Sequence, residues 1–246
     1  MWDNPRLLNA AANALLAAAA CALLYAGLQL LLRSALFPLR EVTVRGALEH
    51  TSRGEIERAA AGRLAGNFFA ADLGTLRVAL ERLPWVRRVE LRRAWPDRIE
   101  VLLEEHAAFA RWGDEGLVNS FGEPFAGRLE AGAAARLPLL AGPAGTQGEV
   151  ARRTRRFAEI LAALGEAPER VVLSPRYAWQ LRTARGLALE LGRDGAETVE
   201  QRLARFVAAW PGTLGRLARR PAEGGGAQVD LRYPNGFALR VPEWRG

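Results

Sequence analysis

Nucleophilic or metal chemistry in this chain would have to run through one cysteine, Cys21, two histidines, His50 and His106, or the serine of "VNSFG" at 118–122. A hydrolase elbow needs glycine at both ends of G-x-S-x-G so that a strand can turn sharply into a helix, and Val118 stands at the first of those places. No Ser–His–acid order emerges around it. "EEH" at 104–106 lacks the second histidine, one helical turn on, that would complete a zinc pair. A single thiol forms no internal disulfide, and nothing follows zinc-finger spacing. All 34 of the Lys-plus-Arg residues are arginine, so the Walker A, Schiff-base and kinase lysines are ruled out. These residues predict no catalytic, metal or cofactor site and no small-molecule substrate. Both histidines read as surface or strand-edge residues, and the expected chemistry is recognition.

The formal charge is +7, but the arginines are scattered among acids instead of gathered in a patch, so no nucleic-acid partner is expected. "RRVELRRAWPDRIEV", residues 87–101, is the densest case, with five arginines and three acids. Val89 and Leu91 alternate with charges before "AWPDR", and Ile99, Val101 and Leu103 alternate after it. That pattern predicts an antiparallel hairpin with one apolar and one charged face, its turn set by Pro96 and Asp97.

The elements that must carry any recognition surface begin with 26 uncharged residues, Leu7 to Leu32. The run outlasts the 7–15 apolar residues of a cleavable signal and is long enough for an uncleaved membrane anchor over 7–34. "AAAC" lacks the leucine or valine expected three places before a lipidated Cys21. Tyr25 and Trp2 suit the two interfaces, while Arg33, Arg40 and Arg45 against Arg6 lean weakly towards a cytoplasmic C-terminal side. Next, Val42 and Val44 predict a strand. Ser52 with Glu55 predicts a capping box for a helix carrying Ile56, Ala59, Ala60 and Leu64 and ending near Gly66. Asp72 starts a second helix that Pro84 stops. The order is strand, helix, helix, strand, strand. From residue 107 onwards, short strands ("AFARW", "YAWQLRT", "LALELG", "QVDLRY", "GFALRVP") mix with amphipathic helices over 149–165 and 197–212 and a loop "PAEGGGAQ". The fold class predicted is α+β with a mostly antiparallel sheet.

"EVTVRG", "LPWVRRVELRRAWPDRIEVLLEEHAAFARW", "LVNSFGEPF", "LPLLAGP", "YAWQLRT", "RLARFV" and "VDLRYPNGFALR", in this order, resemble the FtsQ/DivIB family of bacterial cell-division proteins. The resemblance implies a cytoplasmic tail at 1–6, the transmembrane anchor at 7–34, a polypeptide-transport-associated (POTRA) domain at 37–106 and a periplasmic β domain at 107–246. It implies a single-pass inner-membrane protein with a cytoplasmic N-terminus, against the weak charge cue, concentrated at the division septum. The function implied is that of a non-enzymatic scaffold that recruits the periplasmic segments of FtsB and FtsL and acts on FtsW/FtsI. Carried over by motif, the partner site falls on Arg232, Tyr233, Asn235 and Gly236 of the last strands, with Arg176 nearby. A terminal edge strand can accept a partner strand, Tyr233 can anchor it, and arginine can pair with a partner carboxylate. Read without the family, "YPNG" is only a hairpin turn. Two departures stand out: the tail is short, and Val241 followed by Trp244 stands where an aromatic is expected. The alternative is a POTRA protein of outer-membrane assembly or secretion, which would carry a cleavable signal and a long β-barrel.

Overall fold

A computed structural model describes residues 5–32, 37–64, 67–69, 71–114, 116–212 and 227–240. Its first helix, α1 (Pro5–Leu32), contains the apolar stretch Asn9–Leu31 of 23 residues. That is about 34 Å of helix against a hydrocarbon core of about 30 Å. Leu15, Leu16, Leu23, Leu24 and Leu30 are bare, Leu23 being 74% exposed, which suits lipid and not water. Trp2 and the end of the expected anchor lie outside the described residues. By its internal contacts the chain divides into two compact units, Met1–Glu105 and His106–Gly246.

In the first unit α1 is followed by β1 (Glu41–Arg45), α2 (Arg53–Ala60), α3 (Leu73–Glu81), β2 (Val86–Ala94) and β3 (Arg98–Glu105). The sheet order is β1-β3-β2, with β1 parallel and β2 antiparallel to the central β3. Local chemistry sets the helix starts. Ser52 Oγ accepts from Glu55 N, and the Glu55 carboxylate accepts from Ser52 N at 2.8 Å, closing the capping box. The Asp72 carboxylate accepts from Thr75 N. Helix α2 stops at Ala60, earlier than its pattern suggests, and Leu64 packs on the core from the following turn. Ile99, Val101 and Leu103 of β3 pack with Ile56, Leu76 and Leu80, while on the other face Arg92 meets Glu100 and Arg87 meets Glu104. The hairpin closes through a cis Trp95–Pro96 peptide.

Two side chains in this unit tie distant segments together. Arg93, expected on the solvated face, instead donates to the carbonyls of Phe68 (3.0 Å) and Ala71 (2.8 Å). Glu105, at the end of β3, accepts the backbone N–H groups of Glu49 (2.9 Å), His50 (3.1 Å) and Thr51 (2.7 Å) and so fixes the approach to α2. His50 also stacks on Trp85 at 3.7 Å.

The second unit runs β4 (Ala108–Trp112), β5 (Gly116–Asn119), β6 (Pro124–Phe125), α4 (Ala131–Ala135), β7 (Leu139–Ala141), α5 (Gln147–Leu161), β8 (Pro168–Leu173), β9 (Trp179–Thr183), β10 (Ala188–Gly192), α6 (Val199–Ala209), β11 (Gln228–Asp230) and β12 (Ala238–Arg240). One nine-stranded sheet has the order β12-β11-β10-β9-β8-β7-β4-β5-β6. Five neighbouring pairs are antiparallel and three are parallel, the parallel ones being β4–β7, β7–β8 and β10–β11. Helices α5 and α6 pack on it through Phe157, Leu161, Leu203 and Phe206 against Trp179, Leu181, Leu189 and Leu191. The alternate residues Gln180, Arg182 and Glu190 form a polar outer surface. Strand β8 is not apparent from the sequence, since Val171, Val172 and Leu173 form a short apolar run without alternation.

The "LVNSFGEPF" motif makes a turn instead of a site. Buried Asn119 accepts from Phe121 N and Glu123 N and donates to the Glu123 carboxylate. Gly122 (φ +84°) lies so close to Gly148 at the start of α5 that a Cβ would sit 2.6 Å from its Cα, so only glycine fits.

Burial pushes the Glu105 carboxyl up, but the hydrogen bonds from Thr51, Glu49 and His50 outweigh it and hold it below the usual carboxylate range. A depressed pKa contributes stability that is present above the unfolded value and lost as pH falls through the folded one. Glu105→Gln should therefore cost on the order of 2 kcal/mol at pH 7 and flatten the loss of stability below about pH 4. Urea melts of both proteins across that range check both effects.

Candidate partner-binding edge

The register brings several strand ends together. Glu190 of β10 pairs with Asp230 of β11, which pairs with Ala238 of β12, while Gly192 of β10 pairs with Trp179 of β9. The β8–β9 turn and the 231–237 connection therefore leave the same end of the sheet, two strand spacings or about 10 Å apart. The first carries Arg176 and the second carries Arg232, Tyr233, Asn235 and Gly236. Beside them runs β12, the outermost strand in the sheet order, paired only with β11 among the described residues.

Asn235 lies in the turn between the last strands, but Arg232, Tyr233 and Gly236 do not lie on strands as "QVDLRY" and "GFALRVP" suggest. Strand β11 ends at Asp230 and β12 begins at Ala238. The reason is a competition for the chain. Arg232 folds back on Asp230 with Nε–Oδ1 at 2.8 Å and Nη2–Oδ2 at 2.6 Å, its own backbone N donating to Oδ1 at 3.0 Å. Arg205 of α6 then catches the carbonyls of Tyr233 and Pro234, each at 3.0 Å, while the Glu197 carboxylate accepts from its Nη1 at 2.8 and 2.9 Å. Phe237 packs edge-on against Phe206 at 5.3 Å and fixes the entry to β12. Gly192 (φ +74°) leaves room for the Arg232 stem, whose Cγ would lie 2.9 Å from an added Cβ.

These contacts sort the expected residues. Tyr233 projects outward, 54% exposed. Arg176 is exposed at its turn. Arg232 is already committed: its guanidinium lowers the Asp230 carboxyl pKa, and Asp230 raises that of Arg232, so a partner acid must displace Asp230 to use that fork. Asn235 is exposed in the turn, and Gly236 needs neither a left-handed backbone nor a close approach. Sequence reasoning missed Arg205, Asp230, Phe237 and Gly192. For Phe237 the signal was an aromatic directly after "PNG"; for Arg205 there was none, because its acceptors lie 28 and 29 residues away. Trp244, Val241 and most of "PAEGGGAQ" lie outside the described residues.

The titratable residues weighed for chemistry are engaged elsewhere. His106 stacks on Phe125 at 4.3 Å and meets Asn119 Nδ2 at 2.9 Å. Among the described residues no three His, Cys, Asp or Glu side chains gather as a metal site.

Two family models match this architecture: the FtsQ-type POTRA domain over residues 37–106, and the C-terminal domain of the cell division protein FtsQ/DivIB over residues 110–232. The chain is also 42% identical to the cell division protein FtsQ of Burkholderia pseudomallei over 250 residues, which is 100% of this chain and 96% of that protein. The chain belongs to the FtsQ/DivIB family of cell-division proteins. The FtsQ of Bordetella pertussis is 39% identical over 194 residues (74% of this chain and 70% of that one), and that of Escherichia coli 33% over 178 (71% and 62%). Family membership together with the apolar helix α1 makes the chain a bitopic membrane protein, and it sets aside the outer-membrane assembly reading. The C-terminal family match stops at Arg232, so Tyr233, Asn235 and Gly236 fall beyond it.

Because Arg205 holds the loop from beneath, Arg205→Ala should release it without unfolding the sheet. Amide exchange over 231–240 should speed up at least about tenfold, corresponding to about 1.4 kcal/mol of lost hydrogen bonding, while exchange in β9 and β10 stays unchanged. Mass-spectrometric hydrogen exchange reads both.

Proposed function

We propose that this protein is a non-catalytic scaffold of the division machinery, recruiting FtsB and FtsL by strand addition at β12 and thereby linking early division proteins to septal peptidoglycan synthesis by FtsW/FtsI. In this reading the second unit and the POTRA domain lie in the periplasm, the N-terminus lies in the cytoplasm, and the protein concentrates at the septum. One observation supports the proposal: an outermost strand, Ala238–Arg240, pairs on one side only among the described residues and runs beside a loop that presents Tyr233. A partner strand gains backbone hydrogen bonds along β12, and the neighbouring aromatic supplies buried area that backbone pairing lacks. Arg176, at the same end of the sheet, is placed to engage an acidic partner residue, and Arg232, Asn235 and Gly236 complete the surface.

Titration of an FtsB periplasmic peptide into the full-length chain in lipid nanodiscs, followed by calorimetry, tests the site. Tyr233→Ala should weaken binding by more than about tenfold. Unchanged affinity would move the site elsewhere. In the native cell, depletion of the protein should give filaments with unseparated septa, and normal division would overturn the scaffold reading.

A further inference from the structure

Trp95, at the tip of the β2–β3 hairpin, is 77% exposed, an unusual place to leave the largest apolar side chain in water. The topology says what lies near it. Strands β1 and β3 are parallel, so the start of β1 lies beside the β2–β3 turn, and Arg40 N donates to Asp97 O at 3.0 Å. At this end Phe68 N donates to Phe37 O at 2.9 Å, Phe37 and Phe69 meet edge-on at 5.1 Å, and Phe69 is 40% exposed. Arg93, two residues before Trp95, holds the segment that carries Phe69. Trp95 and Phe69 thus project from one end of the domain, the end at which the chain arrives from α1.

The arrival is short. Four residues separate Leu32, the last of α1, from Phe37, and five extended steps span at most about 18 Å. An aromatic cluster held this close to the end of a membrane span stands within reach of the headgroup layer, where tryptophan and phenylalanine are favoured. A short tether also raises the local concentration of the tip at the bilayer to the millimolar range, so an affinity too weak for a free domain suffices. The charges around the tip suit lipid phosphates but do not dominate. Arg40 and Arg98 face Glu41 and Asp97, with Arg98 Nε 3.2 Å from Glu41 and 3.8 Å from Asp97, and Arg40 4.0 Å from Asp97, while Arg93 is taken up by the carbonyls of the 68–71 segment.

We propose that the Trp95 turn and Phe69 dock on the phospholipid headgroup surface of the membrane that α1 crosses, holding the POTRA domain against the bilayer. The proposal rests on α1 spanning that membrane. The full-length chain is reconstituted into vesicles of phosphatidylethanolamine and phosphatidylglycerol, with and without bromine on the upper acyl chain. Tryptophan emission is compared between wild type and Trp95→Phe, whose difference isolates Trp95 from the other six tryptophans. Docking predicts that the difference spectrum is blue-shifted and loses intensity with brominated lipid. A red-shifted difference spectrum untouched by bromine would overturn the proposal and leave Trp95 for a protein partner. Chain that washes off the vesicles at alkaline pH would overturn both the anchor and the docking. Circular dichroism of Trp95→Phe should match wild type, as expected for an exposed side chain.

Discussion

The parallel pairing of β11 with β10 sets up much of the second unit. Parallel neighbours cannot be joined by a tight turn; the chain must cross back over the sheet before it can re-enter in the same direction. Helix α6 is part of that crossing, so it comes to lie over the end of the sheet where β11 exits. Its inward face supplies Leu203 and Phe206 to the core, and the same helix supplies Arg205 to the loop beyond β11. The crossover thus leaves β12 as the outermost strand and braces the loop that presents Tyr233.

A second theme is what a lysine-free chain does with its cations. Exposed ion pairs such as Arg92–Glu100 contribute little. Several arginines instead brace irregular backbone by binding carbonyls. Arg93 takes two from the 68–71 segment, Arg202 takes those of Leu191 and Glu197, Arg205 takes those of Tyr233 and Pro234, and Arg155 takes that of Ser120. A planar fork can serve two fixed acceptors in irregular backbone at once, whereas an ammonium is a single point donor. Loops without regular partners are thereby satisfied from neighbouring elements.

Legibility followed the range of the interactions involved. The membrane helix, the capping box on Ser52, the cap on Asp72 and the hairpin around Trp95 depend on residues a few places apart, and each was readable. Helices α5 and α6 announced themselves by spacing. Strand β8 did not, because its order comes from β7 and β9 on either side. The boundary of β11 was misplaced for a similar reason. "VDLRY" alternates well enough to be a strand, but the Asp230–Arg232 pair and Arg205 pull the chain out of the ladder at Leu231. Of the expected partner residues, Tyr233 and Arg176 lie exposed. The sequence could not reveal that Arg232 already has a carboxylate.

The edges away from β12 have a consequence for a protein confined to a membrane plane, where copies meet often. Strand β6, at the edge of the nine-stranded sheet opposite β12, has two residues, too few to template pairing with another copy. The longer edge strand β2 of the first unit is studded with Arg87, Arg88, Glu90 and Arg92, charges that a facing copy would have to desolvate. Crowding in the plane therefore does not zip neighbouring copies together along these two edges.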